Sequence, residues 1–171
     1  MQQESKRILG IDPGLATTGI CVIESSSGGA YRTIYCGSIE TLKDKRIEQR
    51  LSEIYSSVND VISRFKPECL AIEEIFFSTN AKSVINVGQA RGVVLLCADN
   101  NNLSVFEYTP LEVKQAIVGY GRATKDQIKY MVKILLKVNE DDFPKNDDAW
   151  DSLAIAICHA NSSRFNENIK R

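Results

Sequence analysis

Hydrophobic and polar positions along the chain change period twice. The segment Arg7–Asp12 is apolar and β-branched and stops at Pro13-Gly14, which predicts a buried strand ending in a sharp loop. Thr18–Glu24 and Ala30–Glu40 read as two further strands, with SSSGG at 25–29 as the turn between them. Connections this short predict antiparallel neighbours. The period then becomes helical. Ile47, Leu51, Ile54, Val58, Val61, Ile62 and Phe65 recur at three- and four-residue steps, and that helix must end before Pro67. Cys69–Ile75 is a short apolar strand carrying Glu73 and Glu74. Thr79 or Asn80 suits the cap of a helix running to about Asp99, followed by a strand at Ser104–Tyr108. Pro110 opens a short helix through Val118, and Thr124 caps another through Lys137. DDFPKN at 141–146 is a loop, and a last helix runs from about Asp147 to Ser162.

Three strands followed by strands alternating with helices predict an α/β fold. Its sheet is five-stranded and mixed, with the antiparallel strands first, parallel additions after, and helices flanking it. Nothing in the pattern marks a linker. The 171 residues therefore read as one domain, with a core at about 7–162 and short polar tails. The apolar runs, such as GVVLLCA at 92–98, are far shorter than a membrane span, and MQQESKR resembles no signal peptide. The five cysteines are odd in number and lack C-x-x-C spacing, so they read as small core residues of a reducing, cytoplasmic compartment. His159 is the only histidine, which excludes a histidine-ligand metal site and predicts a structural or surface role.

Acidic residues stand where charge is costly. Asp12 ends the first strand, Glu73 follows Leu70-Ala71-Ile72 on the fourth, and Asp148 and Asp151 share one face of the last helix. Glu74 falls on the opposite face of its strand, and Asp147 serves the helix N-terminus. Carboxylates gathered on buried elements repel one another unless a cation holds them, and oxygen-only ligands select Mg²⁺ or Mn²⁺ over zinc. Four of them can hold two such ions about 4 Å apart, the arrangement that supports in-line attack on a phosphodiester. The net charge of −1 gives no general basicity. From Pro110 to Lys137, however, Lys114, Arg122, Lys125, Lys129, Lys133 and Lys137 face only Glu112 and Asp126, a local balance of +4. Such a band suits a phosphate backbone, although Lys129, Lys133 and Lys137 equally suit the solvated face of a helix.

ILGIDPGLATTGICVIE at 8–24, LAIEEIFF at 70–77, VGQARGV at 87–93, VFEYTPLEVKQAIVGYGRATKDQI at 105–128 and DDAWDSLAIAICH at 147–159 closely resemble the RuvC family. These are bacterial Holliday-junction resolvases with an RNase H-like fold. The resemblance implies a homodimer that nicks two opposed strands of a four-way DNA junction symmetrically, in recombination and repair. It implies two Mg²⁺ ions per site, held by Asp12, Glu73, Asp148 and Asp151, with Mn²⁺ as a substitute, and 5′-phosphate and 3′-hydroxyl products. It also implies that Phe76 stacks on bases near the crossover, with Phe77 the alternative, and that Lys114 and Lys125 touch the backbone. Arg122 lies in the same basic stretch. RuvA and RuvB, the branch-migration proteins, are the implied partners.

The helix from about Asn80 to Asp99, with Val84, Val87, Ala90, Arg91, Val94 and Leu95, is a candidate dimer interface. Three rival readings fit less well. A sugar-kinase or actin-like ATPase needs a second domain and a second phosphate loop. An RNA-processing nuclease of the YqgF type fits poorly with the junction aromatic and the V-K-Q and G-x-G stretches. A silent junction-binding protein has no use for four acids.

Overall fold

The computed structural model describes residues 5–75, 81–139 and 146–169. Among them the chain forms β1 (Ser5–Asp12), β2 (Thr17–Ser26), β3 (Tyr31–Glu40), α1 (Ile47–Phe65), β4 (Cys69–Glu73), α2 (Ala81–Asn100), β5 (Ser104–Tyr108), α3 (Pro110–Val118), α4 (Lys125–Leu136) and α5 (Asp147–Ile169). The strands make one sheet in the order β3-β2-β1-β4-β5. β1 to β3 pair antiparallel, while β4 joins β1, and β5 joins β4, in parallel. This is the mixed sheet that the pattern predicts.

The sheet is covered on both faces, which is why its central strands read as unbroken apolar runs rather than alternating ones. Ile8, Cys21, Ile23 and Ala71 point to the layer of α3, α4 and α5, whereas Leu9, Ile11, Ile20, Val22, Leu70 and Ile72 point to α1 and α2. The middle of α5 is hidden all round, with every residue from Ser152 to Ala160 buried. It comes this close to the sheet because Gly10 lacks a side chain. A Cβ there would lie 2.3 Å from the Ser152 carbonyl oxygen and 2.8 Å from the Ala156 Cβ.

Local signals place the helix ends. Thr109 with Glu112, and Thr124 with Gln127, form reciprocal capping boxes at α3 and α4. α1 ends at a left-handed Lys66, since Pro67 disfavours a helical residue before it. Two boundaries differ from expectation. β4 stops at Glu73 rather than Ile75, because its partner β5 ends at the paired Tyr108. α5 runs on to Ile169, since nothing after Ser162 breaks a helix even though the apolar pattern fades there. Thr79 and Asn80 lie outside the described residues, as does most of the loop at 141–146.

His159 sits in the middle of α5 and is buried. Its Nδ1 is 2.7 Å from the Tyr108 hydroxyl, and its ring packs on Phe106. Burial lowers its pKa to about 4, so it is a neutral core residue. All five cysteines are free, and burial pushes the Cys21 thiol up to about 12. Cys36 is only half-buried. Among the described residues, no helix is long and apolar enough to cross a membrane.

Candidate active site

The carboxylates meet at one end of the sheet. β1 and β4 run parallel in register from Ile8↔Cys69 to Ile11↔Ile72, so Asp12 and Glu73 emerge side by side from adjacent strand ends. The first turns of α5 bring Asp148 and Asp151 over the same edge. Asn146 caps this helix, its side-chain oxygen accepting from the Asp148 amide at 2.8 Å.

Gly19 sets how deep the helix start sits. It pairs with Asp12 across β1 and β2, and a Cβ on it would lie 1.8 Å from the Asp148 carbonyl oxygen. Only a residue without a side chain allows the Asp148 backbone to rest there. One carboxylate oxygen each of Asp12, Asp148 and Asp151 then lies within 4.8 Å of the others. Glu73 falls outside that trio but is electrostatically part of it, as the pKa shifts show.

Asp12 is raised from 3.8 to about 7, first by burial and then by the charges of Glu73, Asp151 and Asp148, with Lys125 opposing. Glu73 is raised by burial and by Asp151, with Lys125 and Lys114 opposing. Asp148 is raised by burial and then by Asp151. Lys125 donates to Asp151 at 3.0 Å, and its own pKa rises for that reason. Four like charges are thus held together with two lysine ammonium groups nearby.

The residues fit a divalent cation. The donors are all oxygen, which suits a hard ion, and oxygens around one such ion stand roughly 3–4 Å apart. The trio needs only a small contraction to reach that spacing. Asp12, Glu73 and Asp148, partly buried and raised by burial and by neighbouring carboxylates, form a set that a bound cation would stabilise. Glu74 is exposed, one residue past the end of β4.

The metal-free protein has a pH signature. Folded Asp12 keeps its proton to about pH 7, while in the unfolded chain it releases it near 3.8. Between those values the folded state binds more protons. The group's stability contribution is therefore complete below about pH 4 and is lost as pH rises through about 7. Tm measured without metal for wild type and Asp12→Asn checks this. The difference between the two curves is expected to widen in favour of Asn from about pH 5 to about pH 8. A flat difference would place Asp12 in a solvated, uncoupled setting. His159, whose lowered pKa acts in the opposite sense, is common to both proteins and cancels.

The DNA-facing expectations divide. Lys114 is near enough to Glu73 for its charge to act there, and Lys125 lies on the acidic cluster itself. Arg122 is exposed in the loop between α3 and α4. Lys129 and Lys133 lie over the Trp150 ring, at 5.3 and 5.8 Å, so they are not simply a solvated stripe. Phe76 and Phe77 lie outside the described residues.

Sequence reasoning missed Gly19, whose role depends on what packs over it. It also missed Asn146, although an Asn just before the helix is a readable cap signal. Arg91 forms an ion pair with Glu107 at 2.6 Å and donates to the Glu73 carbonyl at 3.4 Å. It ties α2 to the ends of β4 and β5.

The family model for crossover junction endodeoxyribonuclease RuvC matches residues 8–159. The chain belongs to the RuvC family. It is 51% identical to the crossover junction endodeoxyribonuclease RuvC of Caldicellulosiruptor saccharolyticus, over 92% of this chain and 93% of that one. The corresponding protein of Desulforamulus reducens is 49% identical over 95% and 99% of the two chains. Among solved structures, Thermus thermophilus RuvC in complex with a Holliday junction substrate superposes with a TM-score of 0.89 at 33% identity, covering 94% of this chain and 96% of that one. The RuvC fold is RNase H-like, and the order and direction of the five strands here agree with it.

Proposed function

We propose that this chain is a crossover junction endodeoxyribonuclease that resolves Holliday junctions by paired nicks in recombination and repair. The observation that carries it is the gathering of Asp12, Asp148 and Asp151 within 4.8 Å beside Glu73, in a chain of the RuvC family. Asp12, Glu73, Asp148 and Asp151 hold two Mg²⁺ ions, which Mn²⁺ can replace. Such cations, held by these four residues, would supply an activated water and would offset charge on the leaving 3′ oxygen, giving 5′-phosphate and 3′-hydroxyl ends.

The protein's own groups set the geometry. Strand ends fix Asp12 and Glu73, and the capped start of α5 fixes Asp148 and Asp151. Lys125, held by Asp151, and Lys114, beside Glu73, bring positive charge to the edge where a backbone phosphate must approach an acidic cluster. Phe76 stacks on bases at the crossover, and Arg122 adds a backbone contact. The whole chain acts as one nuclease domain, in the cytoplasm, alongside RuvA and RuvB.

The test is cleavage of a synthetic mobile four-way junction with Mg²⁺, against a linear duplex and an RNA–DNA hybrid. Paired symmetric nicks on the junction alone are expected. Cutting of the hybrid instead would favour an RNA-processing nuclease, and binding without cutting a silent junction-binding protein.

Two symmetric nicks require two sites, which a homodimer supplies. α2 offers the surface, though without Ala90 and Val94 of the stripe expected from sequence. Ala90 and Val94 are fully buried in this chain's own core, because the apolar periodicity marks the core face. The outward face carries Ile85 and Leu96, 61% and 56% exposed, with Gly92 between them. Ile85→Glu together with Leu96→Glu is expected to convert a dimer to a monomer in sedimentation velocity with Tm nearly unchanged. A double variant that still sediments as a dimer would put the interface elsewhere.

A further inference from the structure

A cleft borders Asp148 on the α1–α2 side of the sheet. It is about 460 Å³ and is lined by Gly14–Thr17 of the β1–β2 connection, by Lys43 and Arg50 from the segment around the start of α1, by Asn86 and Val87 of α2, and by Asp148. A ligand-sized pocket is roughly 300–1,000 Å³. Lys114 and Lys125 belong to the α3–α4 layer. The walls of this cleft come from the α1–α2 layer, so the two sets of cations stand on either side of the acids.

The basic residues here are sorted. Lys45 is neutralised by Glu53 at 2.5 Å and Arg46 by Glu48 at 3.1 Å. Neither of these lines the cleft. Arg50 does, and the acceptors it holds are neutral: Thr41 Oγ1 at 2.8 Å and the Leu15 carbonyl at 3.2 Å. Among the described residues, neither Arg50 nor Lys43 has a carboxylate partner. Arg50 is also half-buried, which makes an uncompensated charge more costly than it is at the surface. Asp148 is the one carboxylate among the described lining residues. The cleft therefore presents a fixed guanidinium, an exposed ammonium and an amide to an anion that continues up to the acidic cluster.

We propose that this cleft is a second backbone subsite, in which Arg50, Lys43 and Asn86 take a phosphate of the DNA strand flanking the scissile bond on its Asp148 side. The proposal rests on the nuclease reading above and names part of the surface on which its substrate lies. Arg50 does two jobs. It clasps the β1–β2 connection through Leu15 and turns its remaining charge to the strand.

The experiment is equilibrium binding of a fluorescent four-way junction, and separately of a linear duplex, by the full chain without metal over a salt series. Each phosphate contact contributes about 0.9 to the slope of log K against log salt. Lys43→Ala is expected to lower the slope by about 0.9 and to weaken binding severalfold at fixed salt. Lys45→Ala, whose ammonium is already paired with Glu53, is expected to leave the slope unchanged. Arg50→Gln is expected to lower the slope as Lys43→Ala does, while Arg50→Lys restores most of it. Equal slopes for Lys43→Ala and Lys45→Ala, or an Arg50→Gln protein that loses Tm but keeps its slope, would overturn the proposal. Wild type that shows no preference for the junction over the duplex counts against the resolvase reading. The slopes on the duplex still decide the subsite.

Discussion

Asp12→Asn is expected to reduce junction cleavage by on the order of 10²–10³-fold or more, the scale on which removal of one transition-state charge group is felt. Two other readouts separate this from a damaged fold. Junction binding is expected to persist, because affinity rests on phosphate contacts from other residues. Without metal, the variant is expected to melt several degrees higher than wild type at about pH 8, with each kcal/mol worth roughly 2–4 °C in a chain of this size. The reason is that Asp12 is buried against Glu73, Asp151 and Asp148. Neutralising it removes a repulsion that the folded protein tolerates only for the sake of its cation. Added Mg²⁺ is expected to reverse the order, stabilising wild type and leaving the variant nearly unmoved. Loss of cleavage together with a lower metal-free Tm would point to ordinary structural damage. Cleavage near the wild-type rate would remove Asp12 from the site.

Gly19→Ala tests whether the backbone, and not only the acids, makes the site. The added methyl would fall 1.8 Å from the Asp148 carbonyl oxygen and 2.4 Å from its carbon, so the start of α5 must lift or turn. Overpacking of this kind costs roughly 1–3 kcal/mol. The larger effect is expected in metal affinity, a loss of about tenfold or more, since ligand positions off by an ångström forfeit much of a site's preorganisation. Trp150, buried in the first turns of the same helix, reports the shift through its emission. Gly10→Ala is the comparison, since it presses on α5 further along, at Ser152 and Ala156. It is expected to lower Tm with less effect on metal affinity. If the two variants lose stability and affinity in proportion, Gly19 only helps to dock the helix.

Much of this was legible in the sequence because it is written in periodicity. Unbroken apolar strands, one amphipathic α1 and capped α3 and α4 follow from local chemistry, and acids on apolar elements stand out against it. The remainder depends on what meets across the fold. Ala90 and Val94 repeat at a helical spacing that suits a core or an interface equally, and only the sheet beneath them decides. Gly19 is one glycine among ten until Asp148 is seen resting on it. Lys43 and Lys45 look alike in sequence, and they part only when Glu53 takes one of them.

The burial of α5 has a further consequence. In the helix that brings Asp148 and Asp151 to the site, the segment Ser152–Ala160 that follows them is enclosed throughout by the rest of the protein. Segments of that kind open last, with the cooperative loss of the whole structure. Local openings elsewhere in the chain therefore leave this segment in place, and the acids part only when the fold is lost as a whole.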